Sequence, residues 1–149
     1  MAKRNYNLKG VYRILDANFN RASEGLRVCE EVSRFILNDR VLSGRLKNIR
    51  HKINKELRGF FAPGSSLLEA RNSGGDVGKT LRAKEMERND PRDIFFANIQ
   101  RVKESIRVLE EFSKLVSVKS ALDLKKIRYD IYGIEKSIAE KMRALRHSR

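Results

Sequence analysis

Residues 17–33 of this chain are written a second time 80 residues later, at 97–113. Aligning 17–34 with 97–114 gives nine identities in 18 positions, where chance gives roughly one. The shared pattern is A-N-x-x-R-x-x-E-x-x-R-V-x-E-E-x-S. A second match follows each copy: LKNIRHKI at 46–53 against LKKIRYDI at 124–131, five identities in eight at an offset of 78. The unit duplicated is therefore a pair of segments. Each pair carries an apolar stripe too small to make a core alone, and two such pairs bury their stripes by packing on each other.

Each segment reads as helix. From about 8 to 38, Val11, Leu15, Ala22, Leu26, Cys29, Val32 and Ile36 recur at three- and four-residue steps, and from 41 to 58 the stripe is Leu42, Leu46, Ile49, Ile53 and Leu57. Asp90 followed by Pro91 is a helix start, and that helix is expected to reach about Val116. Ser120 with Asp123 resembles a capping box opening a fourth helix that runs towards Arg146. Pro63, Pro91 and the glycines at 59, 64, 74, 75 and 78 mark the middle as the place where helices stop. The expectation is one all-α domain over 1–149, a pseudo-twofold helical bundle made of repeat 1 (about 8–58), a Gly-rich connector (about 59–89) and repeat 2 (about 90–147).

At about 100° per residue the apolar side chains of the first helix cover an arc of about 200° centred near Asn18. Arg21 and Gly25 fall inside it, and Asn98 and Arg101 fall in the matching arc of the third helix. An uncompensated buried guanidinium is expensive, so both arginines are expected to need carboxylates or a bound anion. Glu24, Arg27 and Glu31, with Glu104, Arg107 and Glu111, sit at the arc edges at ion-pair spacing. Two readings follow, a polar network that fixes helix register or an anion site near the pseudo-twofold axis.

The connector stretch SGGDVGKT, 73–80, ends as a P-loop does, but Ser73 replaces its first glycine and no strand precedes it. Free N–H groups at Gly75 and Gly78, helped by Lys79 and Arg71, can cradle phosphate, or the glycines can serve only a flexible linker. Asp76 is a candidate Mg²⁺ ligand. His51 and His147 lack metal-ligand spacing, and Cys29, on the core side of its helix, reads as an inert thiol.

The chain carries 33 Lys+Arg against 19 Asp+Glu, a formal net charge of +14, which attracts polyanions. Some of it gathers at the C-terminus, Lys141, Arg143, Arg146 and Arg149, where the helix dipole favours cations. Apolar runs are too short to cross a bilayer, no secretory h-region follows the basic start, and one cysteine cannot form an internal disulfide. A cytoplasmic location without a membrane partner is expected, with homo-oligomers possible. No nucleic-acid module is recognisable, and Tyr6, Tyr12, Tyr129 and Tyr132 form no stacking platform.

The run RILDANFNRASEGLRVCEEVSRFIL, the later LKNIRHKI, the loop ARNSGGDVG and the segment ANIQRVKESIRVLEEFSK together resemble a helical family found alone or fused ahead of bacterial thiamine-phosphate synthases. The resemblance covers nearly all of 11–135. It implies a hydroxymethylpyrimidine phosphate kinase, an enzyme that moves the γ-phosphoryl group of ATP, with Mg²⁺, onto a phosphorylated pyrimidine. The product is the diphosphate that the synthase condenses with a thiazole phosphate. A (β/α)₈ barrel needs about 250 residues and has no room here.

Phosphoryl transfer asks mainly for positioning and for cations around the equatorial oxygens. On the face analysis Arg21 and Arg101, with Arg71 or Lys79, are expected to clamp phosphates, and Asn18 and Asn98 to orient them or the pyrimidine. Glu24, Glu104 or Asp76 would hold Mg²⁺. Two rivals stand beside this, a non-catalytic accessory domain of thiamine-phosphate synthase and a basic helical nucleic-acid binder.

Overall fold

A computed structural model of the chain describes residues 6–60, 66–80 and 86–147, leaving out the side chains of 66 and 147. The expected breaks at Pro63 and Gly64 and the terminal cation Arg149 lie outside the described residues. The fold is all-α, with no strand among the described residues.

Among the described residues there are four long α-helices and one short one: α1 (Leu8–Glu31), α2 (Arg40–Phe60), α3 (Ser66–Ala70), α4 (Pro91–Ser113) and α5 (Val118–His147). The long helices pack in a ring, α1 on α4, α4 on α5, α5 on α2 and α2 on α1. Their apolar stripes meet in one core that includes Leu15, Leu26, Leu46, Ile53, Phe95, Ile106, Leu124 and Ile131. The short α3 lies in the connector and buries Leu67 and Ala70 against α1.

Helix ends follow local chemistry. Asn7 caps α1 by accepting from the Gly10 N–H at 3.0 Å, and Asp90 caps α4 by accepting from Asp93 N–H at 3.0 Å, with Pro91 at the first helical position. The fourth long helix departs from expectation. Its cap is Ser117, whose Oγ accepts from Ser120 N–H at 3.2 Å, while Asp123 is taken by Lys119 and Lys126.

The first helix also ends earlier than its apolar spacing implies. After Glu31 the backbone widens into a π-helical turn, Val32–Ile36, closed by Leu37 N–H to Val32 O at 3.1 Å. The widening turns Phe35 and Ile36 outward and keeps Leu37 in the core. Asn38 then takes a left-handed conformation, φ 49°, which Asn tolerates better than most residues, and Asp39 caps α2 through Leu42 N–H at 2.9 Å. In repeat 2 the same corner uses tight three-residue turns after Ser113 instead. The slip from an offset of 80 to one of 78 is located at these corners.

α1 and α4 run antiparallel. Gly25 faces Asn98 and Val102, and further along α1 the Cys29 thiol donates to Phe95 O at 3.7 Å. The backbones nearly touch at Gly25: a β-carbon there would lie 2.7 Å from Val102 Cγ2 and 3.1 Å from Asn98 O. Glycine is required by this approach, and small Ser105 stands at the matching position of repeat 2.

The duplication also builds one charge network twice. Glu30, buried in repeat 1, meets Arg50 Nε at 3.1 Å and Arg27 at 3.6 Å. Glu110, buried in repeat 2, meets Arg128 Nε at 2.8 Å and Arg107 at 2.9 Å. Arg27 and Arg107 each reach one residue further, to Glu31 at 2.7 Å and Glu111 at 3.0 Å. Each network ties the first helix of its repeat to the second.

Candidate functional site

At the close approach of Gly25, the facing sides of α1 and α4 border a groove of about 520 Å³. Its walls are Asn18, Arg21, Glu24 and Gly25 from α1 with Asn98, Arg101, Glu104, Ser105 and Val108 from α4, so four residues of one repeat meet their four counterparts of the other in the same groove.

Both asparagines donate Nδ2 to a carbonyl of their own helix four residues back, Asn18 to Ile14 O at 2.9 Å and Asn98 to Ile94 O at 2.8 Å. That leaves each Oδ1 to accept from something else. The arginines correct the sequence reading. Arg21 and Arg101 are exposed, and neither side chain makes a hydrogen bond or an ion pair with the described residues. The reason is the groove itself: the centre of the apolar arc packs at the crossing, and beside it long side chains carry their charged heads out to water. Glu104 accepts from Gln100 Nε2 at 3.0 Å, and Glu24 is exposed in the groove wall.

A second groove of about 470 Å³ opens on the other side of Asn18 and Arg21, between the N-terminal half of α1 and the loop at 71–76. Asp16, almost buried, holds this loop in place: Arg71 Nε and Nη2 donate to its two oxygens at 2.8 and 2.7 Å. The bidentate bond to Asp16 pushes the Arg71 pKa above its ordinary value, fixing its charge. Arg13 reaches Asn72 O at 3.4 Å, and Asn20 Nδ2 lies 3.4 Å from Asp16 Oδ1.

The glycine turn is occupied by its own side chains. Gly75 N–H donates to Asn72 Oδ1 at 2.9 Å, Gly78 N–H to Asp76 Oδ1 at 2.8 Å, and Lys79 Nζ to Gly74 O at 3.1 Å. The expectation of free amides at Gly75 and Gly78 is thereby overturned, because short Asx side chains next to them satisfy those donors first. Arg71 and Asp76 line the second groove; Gly75, Gly78 and Lys79 line neither.

Among the described residues no three His, Cys, Asp or Glu side chains come together as a metal-binding group. Asp76 stands in one groove and Glu24 and Glu104 in the other, so the three expected metal ligands do not form one set. Glu24 and Glu104 line one groove, and Mg²⁺ asks a protein for only one or two carboxylates beside substrate phosphates. The Cys29 thiol is buried, and burial, with the Glu135 charge second, pushes its pKa up to about 12, so it is no nucleophile.

Asp16, Arg13 and Asn20 were not singled out from sequence. A signal existed for Asp16: it precedes the duplicated motif, and repeat 2 has Phe96 at the matching position.

Residues 13–137 match the ThiD2 family. The chain belongs to the ThiD2 family. Its similar relatives include the thiamine-phosphate synthase of Nostoc punctiforme, 42% identical over 129 residues that cover 86% of this chain and 35% of that protein. That of Rhodopirellula baltica is 40% identical over 136 residues, 91% of this chain and 36% of that protein, and that of Synechocystis sp. is 40% identical over 131 residues, 86% and 36%. This ThiD2-family chain thus spans little more than a third of the length of the curated relatives it matches. No solved structure matches it. Among its described residues no helix is long and apolar enough to cross a membrane.

Proposed function

We propose that this ThiD2-family domain transfers the γ-phosphoryl group of ATP to hydroxymethylpyrimidine phosphate in the groove between α1 and α4. The observation that carries the reading is the pair Arg21 and Arg101. Both line one groove as repeat counterparts, exposed and committed to no other described residue, so their donors are available to a ligand's phosphates. The thiamine-phosphate synthases that the chain matches support a role in thiamine biosynthesis.

In the reaction an oxygen of the acceptor phosphate attacks the γ-phosphorus. The bond from that phosphorus to the β–γ bridging oxygen breaks, and ADP leaves with the electron pair. The transferring group then has a phosphate on each side, which suits a groove with an arginine from each repeat. Arg21 and Arg101 hold these flanking phosphates and stabilise the charge spread over the equatorial oxygens. No general base is needed, since the acceptor is already an anion. Asn18 and Asn98 accept hydrogen bonds from the ligands through Oδ1. Glu24 and Glu104 would hold Mg²⁺, which when bound neutralises charge on the phosphates.

One observation favours a second reading, a non-catalytic accessory domain of thiamine-phosphate synthase: the match covers only 35% and 36% of proteins bearing that name. That reading predicts binding to such a synthase without ATP turnover. Arg21→Ala and Arg101→Ala separate the two. In the kinase reading each variant loses about 10²–10³-fold in kcat/KM while remaining folded. Full phosphotransfer in both folded variants overturns the clamp, and a wild type that binds the synthase but turns over no ATP moves the conclusion to the accessory domain.

A further inference from the structure

The central groove takes the same Asn, Arg and Glu from both repeats, yet the two substrates differ, so discrimination between them has to arise where the repeats diverge. They diverge at Asp16, which anchors Arg71 and the 71–76 loop over α1, and which repeat 2 replaces with Phe96.

Resting on the phosphoryl-transfer reading above, we propose that the groove under this loop is the acceptor subsite. It takes the pyrimidine ring of the acceptor phosphomonoester, with Asp16 and Arg71 as its specificity-determining pair. Its volume of about 470 Å³ is that of a small-molecule site. Gly10, Ile14, Ala17 and Arg21 follow one another at helical spacing along its α1 wall, an apolar strip for a ring face leading to a cation. Asn20, Asn72 and the Asp16–Arg71 pair supply donors and acceptors for ring edges.

Length argues for the smaller substrate. From Arg21 back to Arg13 is eight residues of helix, roughly 12 Å. There Arg13, bonding to Asn72 O, bridges the groove, and Gly10 lines it beyond the bridge. A single ring with a phosphomethyl arm fits between Arg21 and this bridge, whereas a nucleoside with its phosphate chain is longer than that stretch. Arg21 and Asn18 wall both grooves, so a phosphate held at Arg21 sits at the mouth of the central groove, where the donor's phosphates would meet it.

The test is steady-state kinetics of the full chain and of Arg71→Gln and Asp16→Asn, varying ATP and hydroxymethylpyrimidine phosphate separately, with calorimetric titration of the pyrimidine phosphate alone. Each variant is expected to raise KM for the pyrimidine phosphate at least tenfold and to leave KM for ATP within twofold. A rise in KM for ATP instead, or no change in either, overturns the subsite. Arg71 is exposed, so Arg71→Gln decides the matter even where Asp16→Asn fails to fold. Titration separates this proposal from the one it rests on. Binding to the wild type that is lost in Arg71→Gln, without turnover, supports the subsite while the kinase reading fails. No binding, or binding unchanged in Arg71→Gln, overturns the subsite.

Discussion

Gly25 brings α1 against α4 so closely that an added β-carbon would stand 2.7 Å from Val102 Cγ2 and 3.1 Å from the Asn98 carbonyl oxygen. Val102 is fully buried and the carbonyl belongs to a helix, so neither gives way cheaply. Gly25→Ala gains up to about 1 kcal/mol of helix propensity. Against this, overpacking costs about 1–3 kcal/mol, and a net loss of about 1–2 kcal/mol is expected. In thermal unfolding this reads as a fall in Tm of about 2–8 °C. An unchanged or higher Tm would show that the helices separate without cost.

Glu30 and Glu110 are each buried between two arginines, one on their own helix and one on the next. Removing either carboxylate leaves a largely buried guanidinium without its counter-ion, Arg50 in repeat 1 or Arg128, which keeps only its bond to Tyr132 Oη at 3.1 Å, in repeat 2. Glu30→Ala and Glu110→Ala are therefore each expected to cost about 2–4 kcal/mol in urea unfolding, and to agree within about 1 kcal/mol. A large loss in one repeat and none in the other would mean that the networks are copies in geometry only.

The Cys29 thiol is unreactive while the chain is folded. Its pKa is raised from 9.0 to about 12, so below pH 9 both folded and unfolded forms are protonated and stability is unaffected by this group. Between pH 9 and 12 the unfolded chain ionises first, and stability falls as pH rises. A thiol reagent at pH 8 is expected to label Cys29 only in denaturant. Stoichiometric labelling of the native protein would contradict its burial.

Asp39 works in the opposite direction. The Leu42 N–H and then Lys141 hold its carboxyl below the usual carboxylate pKa, so its contribution is present at neutral pH and disappears as pH falls through the acid range. Asp39→Asn is expected to flatten the acid limb of the stability curve. An unchanged acid limb would place the acid sensitivity elsewhere.

The bundle was legible because its evidence is periodic: two apolar stripes written twice leave little choice of architecture. The π turn at Val32–Ile36 was not, since Phe35 and Ile36 continue the apolar run and only the packing of Leu37 shows that the spacing has shifted. The duplicated motif named Asn18, Arg21, Glu24 and their counterparts, and the fold brings all six to one groove. Angular position on a helix cannot tell a core-facing arginine from one beside a crossing point, so the exposure of Arg21 and Arg101 was missed. Asp16 was missed because its partner, Arg71, comes from 55 residues away.

The measurement that bears most directly on the kinase reading is a ³¹P spectrum of wild-type protein incubated with ATP, Mg²⁺ and hydroxymethylpyrimidine phosphate. The account predicts coupled resonances of the pyrimidine diphosphate growing in step with ADP, and only when the pyrimidine phosphate is present. A folded protein that leaves both substrates unchanged would contradict it.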